Sequence, residues 1–359
     1  MNIAEATHSY ERWVQRFVEI VPEDLERKHR SIAADAYAFF RGTHYRWAQR
    51  WLEVDRKLRA APQVLAVADL HVENFGTWRD LEGRLIWGVN DFDEAFPLPY
   101  TYDLTRLAAA VAIARKTTEL EVGLNDATQA ILAGYRSCLE QGPQPFVIEN
   151  QQRWLREVAL EELKDPHKFW CKLESEGQLC EDPPFAAQRL FRRELPRGAE
   201  TVAVVRRVAG MGTLGMPRYV ALADWAGSPI AREAKRLPPP SLHWARRHRA
   251  ERPRRYSLRL AALHPHPDPC YRPAGGWVVK RLAPDCAKVK LAHLEDDSAR
   301  LRLLEAMGYE TANVHLASVP SEKLRADLES RADGWLKEAA RAMTRGILED
   351  FKAWRSIGK

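Results

Sequence analysis

The chain has 359 residues, 45% of them apolar and 29% charged, and a formal net charge of +6. That is the composition of an ordinary soluble globular protein, long enough for one large domain or two to three modest ones. The longest apolar runs, such as "LAAAVAIA" from 107 to 114, fall far short of the ~20 residues that a membrane span needs.

The opening stretch "MNIAEATHSYERW" lacks the basic-then-apolar pattern of a secretion signal, so a cytoplasmic location is expected. Cys138, Cys171, Cys180, Cys270 and Cys286 are widely and irregularly spaced. With no two-residue spacing of a zinc knuckle or redox motif, they read as free thiols. The positive charge favours anionic ligands without choosing among nucleotide, nucleic acid and a membrane surface.

In chain order, the first sixty residues carry helical periodicity in "SYERWVQRFVEIV" and in "SIAADAYAFFRGTHYRWAQRWLEVDRKL", broken at Gly42. Short strands follow in "QVLAVAD" (63–69), "ENFGTW" and "LIWGVND" (85–91), with "DLEG" as a hairpin turn. Asp103 is placed to cap a helix running to about Lys116, and further helices are expected over 119–141, about 150–178 and 183–193. From Glu200 the pattern becomes strand, glycine turn, strand, turn, strand, then a Pro-, Arg- and His-rich passage, then a strand in "GGWVVKRLAP". The remainder, from about Asp296, is helical.

The acids carry the chemistry. Phosphoryl transfer from a nucleotide needs a carboxylate near the acceptor hydroxyl, oxygen ligands for magnesium, and cationic or backbone cover for the phosphates. Kinase-like enzymes supply an Asp and, five positions later, an Asn, and then, beyond a hairpin, a second Asp followed by an aromatic residue. Asp69 and Asn74 have that spacing, and the hairpin delivers Asp91, Phe92 and Asp93. Downstream, Gly210, Gly212 and Gly215 form G-x-G-x-x-G between two β-type runs. This suits a strand–turn–strand phosphate loop better than a dinucleotide fingerprint, which needs a helix after the glycines.

"VADLHVENFG", "GRLIWGVNDFDEA" and "PLPYTYDLTRLAAA" resemble the aminoglycoside phosphotransferase-like branch of the protein kinase superfamily, with its H-G-D-L-H-x-x-N loop, hairpin, I-D-F-x-x-A and P-x-x-D-L-A helix start. The resemblance implies that Asp69 is the catalytic base or orienting carboxylate and that His71 orders the loop. It implies magnesium on Asn74 and Asp91, with Asp103 as a structural acid. Asp93 is a further candidate ligand, and both Asp93 and Glu94 read otherwise as supporting acids or surface charge.

With "AYAFFRGTHYRW", "GMGTLG", "REAKR" and "WVVKRL", the set over roughly 36–316 resembles the bacterial family named domain of unknown function 2252. That resemblance implies an α+β, kinase-like, two-lobed fold whose lobes come in circularly permuted order. The expected parts are an N-terminal helical segment (1–30), a mainly helical catalytic lobe (31–195, joined by 296–359) and a small antiparallel sheet lobe (196–295). ATP and magnesium are the implied cofactors. Two departures stand out. Ala68 replaces the glycine before the catalytic Asp, and Arg232-Glu233-Ala234-Lys235 replaces Lys-Glu-Ala. Arginine is longer and planar, so either Arg232 meets the phosphates, or Lys280 or Arg281 does, or activity is reduced. His315 is expected to pack or cap, and Arg41 to reach the acids, a substrate phosphate or a buried ion pair.

The expected function is magnesium- and ATP-dependent phosphotransfer to a hydroxyl of a small molecule or protein. One alternative is a catalytically weakened scaffold that binds nucleic acid or a protein partner through Arg246, Arg247, Arg249, Arg252, Arg254 and Arg255, with Trp244 and Tyr256 for stacking. Another is a metal-dependent hydrolase, or a nucleotidyl transferase, using the same acids.

Overall fold

The structure is a computed structural model that describes residues 1–117, 122–148, 152–250, 268–294 and 296–357. It is an α+β protein with antiparallel sheets. Its helices begin where short polar side chains satisfy free backbone N–H groups. Asn2 and Glu5 form a reciprocal capping box on Ile3–Val14. Asp35, Asp165 and Asp296 cap Ala36–Gly42, Pro166–Glu176 and Asp297–Leu316.

A helical body holds the largest apolar cluster, with Trp47, Trp51, Trp87, Tyr100, Tyr102 and Tyr135 at its centre. Its helices Leu124–Gln141 and Asp297–Leu316 cross where Gly134 and Gly308 sit. A Cβ on either glycine would overlap a carbonyl of the opposite helix, Glu305 or Ile131, so the close approach requires glycine at both positions. Against this body lie two small sheets. Gln63–Ala66 pairs antiparallel with Phe96–Pro99, and the hairpin Phe75–Arg79/Leu85–Val89 adds Phe146–Val147 as a third strand. The Asp80 carboxylate accepts the Glu82 and Arg84 N–H groups at 3.0 and 2.9 Å and so closes the hairpin turn expected at "DLEG".

The second body is a six-stranded antiparallel sheet. Its order is Arg272–Ala274, Trp277–Leu282, Ser228–Arg236, Arg218–Trp225, Glu200–Arg206 and Gln178–Leu179. Side chains alternate across a strand, so one face of this sheet packs Ala221, Ala234 and Val279 on the helix Phe185–Glu194. The other face packs Val205, Val220 and Ala231 on Leu173 of Pro166–Glu176. Both helices, read from sequence as part of the helical lobe, thus complete the core of the sheet body.

The N-terminal segment bridges the two bodies. Tyr10, Val14 and Val18 pack with Tyr45 of one and Met216 of the other. The Val21 N–H donates to the Gly215 carbonyl at 2.8 Å, and Arg236 donates to the Phe17 carbonyl at 3.0 Å. Among the described residues no helix is long and apolar enough to cross a membrane. The five cysteines are free.

Candidate functional site

The strand Gln63–Ala66 runs into a tight turn at the first candidate acid. The Asp69 N–H donates to the Val67 carbonyl at 2.9 Å, closing a γ-turn around Ala68, which is held at φ +66°. That left-handed conformation favours glycine and costs an alanine on the order of 1 kcal/mol. Asp103 fixes it. Its fully buried carboxylate accepts the N–H groups of Val67 and Ala68 at 2.7 and 2.9 Å. His315 Nε2 lies 3.1 Å from the same carboxylate, and Tyr135 OH lies 2.9 Å from His315 Nδ1. Asp103 therefore braces the loop from the first turn of the helix Tyr100–Thr117 instead of capping its own helix, and His315 is a packed residue.

Beyond the turn, Asp69 is held through Oδ1 by Arg106, whose Nε donates at 2.9 Å and whose Nη2 also contacts it. Arg106 is fully buried, stacked 4.0 Å from the Phe40 ring centroid. Burial raises the Asp69 carboxyl above its usual range, and Arg106 only partly opposes this. His71 is buried, and its Nδ1 accepts the Glu73 N–H at 3.2 Å, which starts the short 3₁₀ turn Val72–Asn74. Burial and the nearby Arg41, Lys288 and Arg106 charges hold its pKa well down, so His71 is neutral near pH 7 and orders the loop. Arg41 pairs with Glu73 at 2.6 Å. Asn74 is buried, and its Oδ1 has no hydrogen-bond partner among the described residues.

The hairpin carries the second set of acids to the same place, where the Asn90 N–H donates to the Asn74 carbonyl at 2.9 Å. Lys235 lies 3.6 Å from Asp91 Oδ1 and in direct contact with Asp93 Oδ2. Burial opposes ionisation of Asp91, but Lys235 and Lys280 outweigh it and hold that carboxyl well below its usual range. Burial and the Asp91 charge push Asp93 up to about 6. Lys280 Nζ donates to the Asn90 carbonyl at 2.6 Å.

The glycine loop joins Glu200–Arg206 to Arg218–Trp225. Gly210 and Gly215 have φ of +80° and +95°, conformations that glycine adopts without penalty. At Gly212 a Cβ would come 3.8 Å from Asp69 Oδ2 and 3.7 Å from the Arg41 carbonyl. Asp69, His71, Asn74, Asp91, Asp93, Gly210, Gly212 and Lys280 all line one cavity of about 620 Å³ between the two bodies.

Two expected site residues are not brought there. Gly215 lies behind the lining, against Leu25. Arg232 is buried on the opposite face of its strand, where Nε donates to the Glu194 carbonyl at 3.2 Å. The cause is strand parity: Arg232 and Ala234 face the helix Phe185–Glu194, so Glu233 and Lys235 face the cavity. Lys235 stands where sequence reasoning put Arg232. Glu233 is paired at 2.8 Å with both Arg207 and Arg218. Arg106 was overlooked too, although its i+3 spacing from Asp103 put both on one helix face.

An oxygen-seeking cation fits this donor set. An unsatisfied Asn74 Oδ1 and the partly exposed Asp91 carboxylate suit magnesium, which takes one or two protein oxygens and completes its shell with water and phosphate. Among the described residues no group of three His, Cys, Asp or Glu is placed to hold a metal. Of the basic stretch, Arg246 stacks 5.4 Å from the Phe96 ring centroid, while Arg252, Arg254, Arg255 and Tyr256 lie outside the described residues.

Residues 18–165 match the model of a family described as "Uncharacterized protein conserved in bacteria (DUF2252)". The matched stretch holds Asp69, Asn74, Asp91 and Asp103 and supports the bacterial family that the sequence resembles. The glycine loop and Lys235 lie beyond it. No curated protein and no solved structure matches the chain.

Proposed function

We propose that this protein is a phosphotransferase of kinase-like fold with its lobes in permuted order, moving the γ-phosphoryl group of ATP to a hydroxyl with the help of magnesium. The observation that carries the reading is the convergence of Asp69, Asn74 and Asp91 with Gly210, Gly212, Lys235 and Lys280 on one cavity. The order strand, glycine loop, strand, strand bearing a lysine is the arrangement with which protein kinases cover ATP phosphates. Neither element alone would support the assignment; their meeting does.

Each residue then has a physical task. Backbone N–H groups of the glycine loop approach the phosphates closely because no Cβ intervenes. Lys235 and Lys280 supply positive charge to phosphate oxygens, and Asn74 and Asp91 are the oxygen donors for the metal. Magnesium, when bound, neutralises the charge that develops on the β- and γ-phosphate oxygens. Asp69, anchored through Oδ1 by Arg106, keeps Oδ2 free to orient the acceptor hydroxyl and take its proton. Its raised pKa makes it a better proton acceptor than an exposed aspartate.

The test is product analysis after incubation with ATP and magnesium, comparing wild type with Asp69→Asn. The proposal expects slow formation of ADP by the wild type and at least about tenfold less by the variant. AMP and pyrophosphate would indicate nucleotidyl transfer, and no nucleotide turnover with undisturbed nucleic-acid binding would indicate the scaffold reading.

A further inference from the structure

One part of the cavity, a chamber walled by Tyr10 and Lys28 of the N-terminal segment and by residues near them, has no task in the phosphotransferase reading. Its walls are Tyr10 of Ile3–Val14, Lys28 of Pro22–Ala34, His44 and Tyr45 of His44–Trp51, Glu94 and Met216. Tyr10 and Tyr45 stack with centroids 4.2 Å apart, giving one apolar wall. Four polar groups keep capacity that no described residue uses. Tyr10 is 6% exposed, and its hydroxyl has no hydrogen-bond partner among the described residues. Lys28, 5% exposed, donates to the Gly212 carbonyl at 3.0 Å and has two further N–H groups to give. Glu94 receives Ser241 N–H and Oγ–H (2.7 and 2.9 Å) and approaches His44 (3.3 Å) through Oε2, leaving Oε1 open. Asp69 is held through Oδ1, leaving Oδ2 open.

We infer that this chamber is the acceptor site and that it takes a small, neutral, polyhydroxylated molecule. The inference rests on the phosphotransferase reading and names its substrate class. These groups line the cavity with hydrogen-bonding capacity that no described residue takes up, and a bound molecule would satisfy it. The charges are balanced, with Lys28 set against Glu94 and Arg106 against Asp69, so neither an anionic nor a cationic acceptor is called for. The mixture of a pure donor, two pure acceptors and a hydroxyl that does both suits vicinal hydroxyl groups, each of which donates and accepts. Asp69 and Gly212 line the same cavity as these residues, and a Gly212 Cβ would lie 3.8 Å from Asp69 Oδ2. In the transfer, an acceptor oxygen forms the new bond to the γ-phosphorus. The bond from that phosphorus to the β–γ bridging oxygen breaks, its electron pair leaving on ADP, and the acceptor proton passes to Asp69 Oδ2.

The experiment measures ADP release by the full chain in magnesium–ATP, with glycerol, myo-inositol and D-glucose as neutral probes, and D-glucose 6-phosphate and ethanolamine as charged ones. Calorimetric titration of magnesium–ATP runs in parallel. At least one neutral polyol is expected to raise ADP release tenfold or more. Tyr10→Phe and Glu94→Gln are expected to raise the KM for that polyol about fivefold and tenfold with kcat within threefold, because a neutral and a charged hydrogen bond are lost from binding. Stimulation only by a charged probe, by no probe although magnesium–ATP binds, or equally in wild type and both variants would overturn the inference and leave the phosphotransferase reading standing. Failure of magnesium–ATP to bind wild type would overturn both.

Discussion

The Asp103 carboxylate accepts the Ala68 N–H at 2.9 Å, tying the first turn of one helix to the backbone of the residue before Asp69. Asp103→Asn keeps one acceptor oxygen and loses the other, so a buried N–H or His315 is left unsatisfied. The expected cost is about 1–3 kcal/mol in urea unfolding. A loss below about 0.5 kcal/mol would show that this brace is not structural.

Ala68 tests the same turn from the backbone side. Ala68→Gly relieves a left-handed conformation worth about 1 kcal/mol and gives up a fully buried methyl of similar value, so stability should change by less than about 1 kcal/mol. Ala68→Val adds branching at a positive φ in a buried site and should cost at least about 2 kcal/mol. Equal tolerance of both substitutions would mean that the turn relaxes.

Strand parity separates Lys235 from Arg232. Lys235→Met removes the ammonium beside Asp91 and Asp93 and should abolish most of the thermal stabilisation conferred by magnesium–ATP. Arg232→Met, on the opposite face, should preserve it. The reverse pattern would restore the expectation drawn from sequence.

The course of the chain was legible where local chemistry decides it. β-Branched runs and glycines mark strand, loop, strand and strand from Glu200 to Arg236, and "DLEG" marks the hairpin turn. Asp69, Asn74 and Asp91 were legible because their spacing reflects one loop and one hairpin. Which face of Ser228–Arg236 looks into the cavity is a tertiary fact: alternation pairs Glu233 with Lys235, but packing on Phe191 and Leu173 chooses the side. The helices Pro166–Glu176 and Phe185–Glu194 read correctly as helices, yet nothing in their own periodicity names the sheet as their partner. Tyr10 and Lys28 escaped notice for the same reason, since they reach the cavity only once the N-terminal segment bridges the two bodies.

The loop glycines should respond differently to a side chain. Gly212 is not held at a positive φ and a Cβ there would meet only ordinary van der Waals contacts, at 3.7 and 3.8 Å, so Gly212→Val should fold with a loss within about 1 kcal/mol. Its side chain would occupy the space above Asp69 and reduce ADP release at least about tenfold. Gly210→Ala places a Cβ at φ +80° and 2.7 Å from Arg218 Nη2, so it should lose stability itself. Full turnover by Gly212→Val would remove this loop from the reaction.

The Glu233 carboxyl links the sheet body to pH. Burial opposes its ionisation, but Arg218, Arg207 and Lys235 outweigh burial and bring its pKa from 4.5 to about 2. A depressed pKa contributes stability above the unfolded value, so the contribution is present above pH 4.5 and is lost as pH falls towards about 2. Glu233→Gln should therefore be less stable than wild type near pH 7, by an amount on the order of 3 kcal/mol at most. The gap should narrow between pH 4.5 and 2 in urea titrations. A gap independent of pH would assign the loss to packing.

The most direct measurement is a double-mutant cycle by calorimetry, titrating magnesium–ATP into wild type, Asp91→Ala, Lys235→Met and the double variant. If the acids and the sheet-borne lysine serve one nucleotide, wild type binds a single equivalent and each single substitution weakens binding by at least about tenfold. The two losses should then be non-additive by about 1 kcal/mol or more. Absence of binding to wild type, or binding undiminished in Asp91→Ala, would contradict the account.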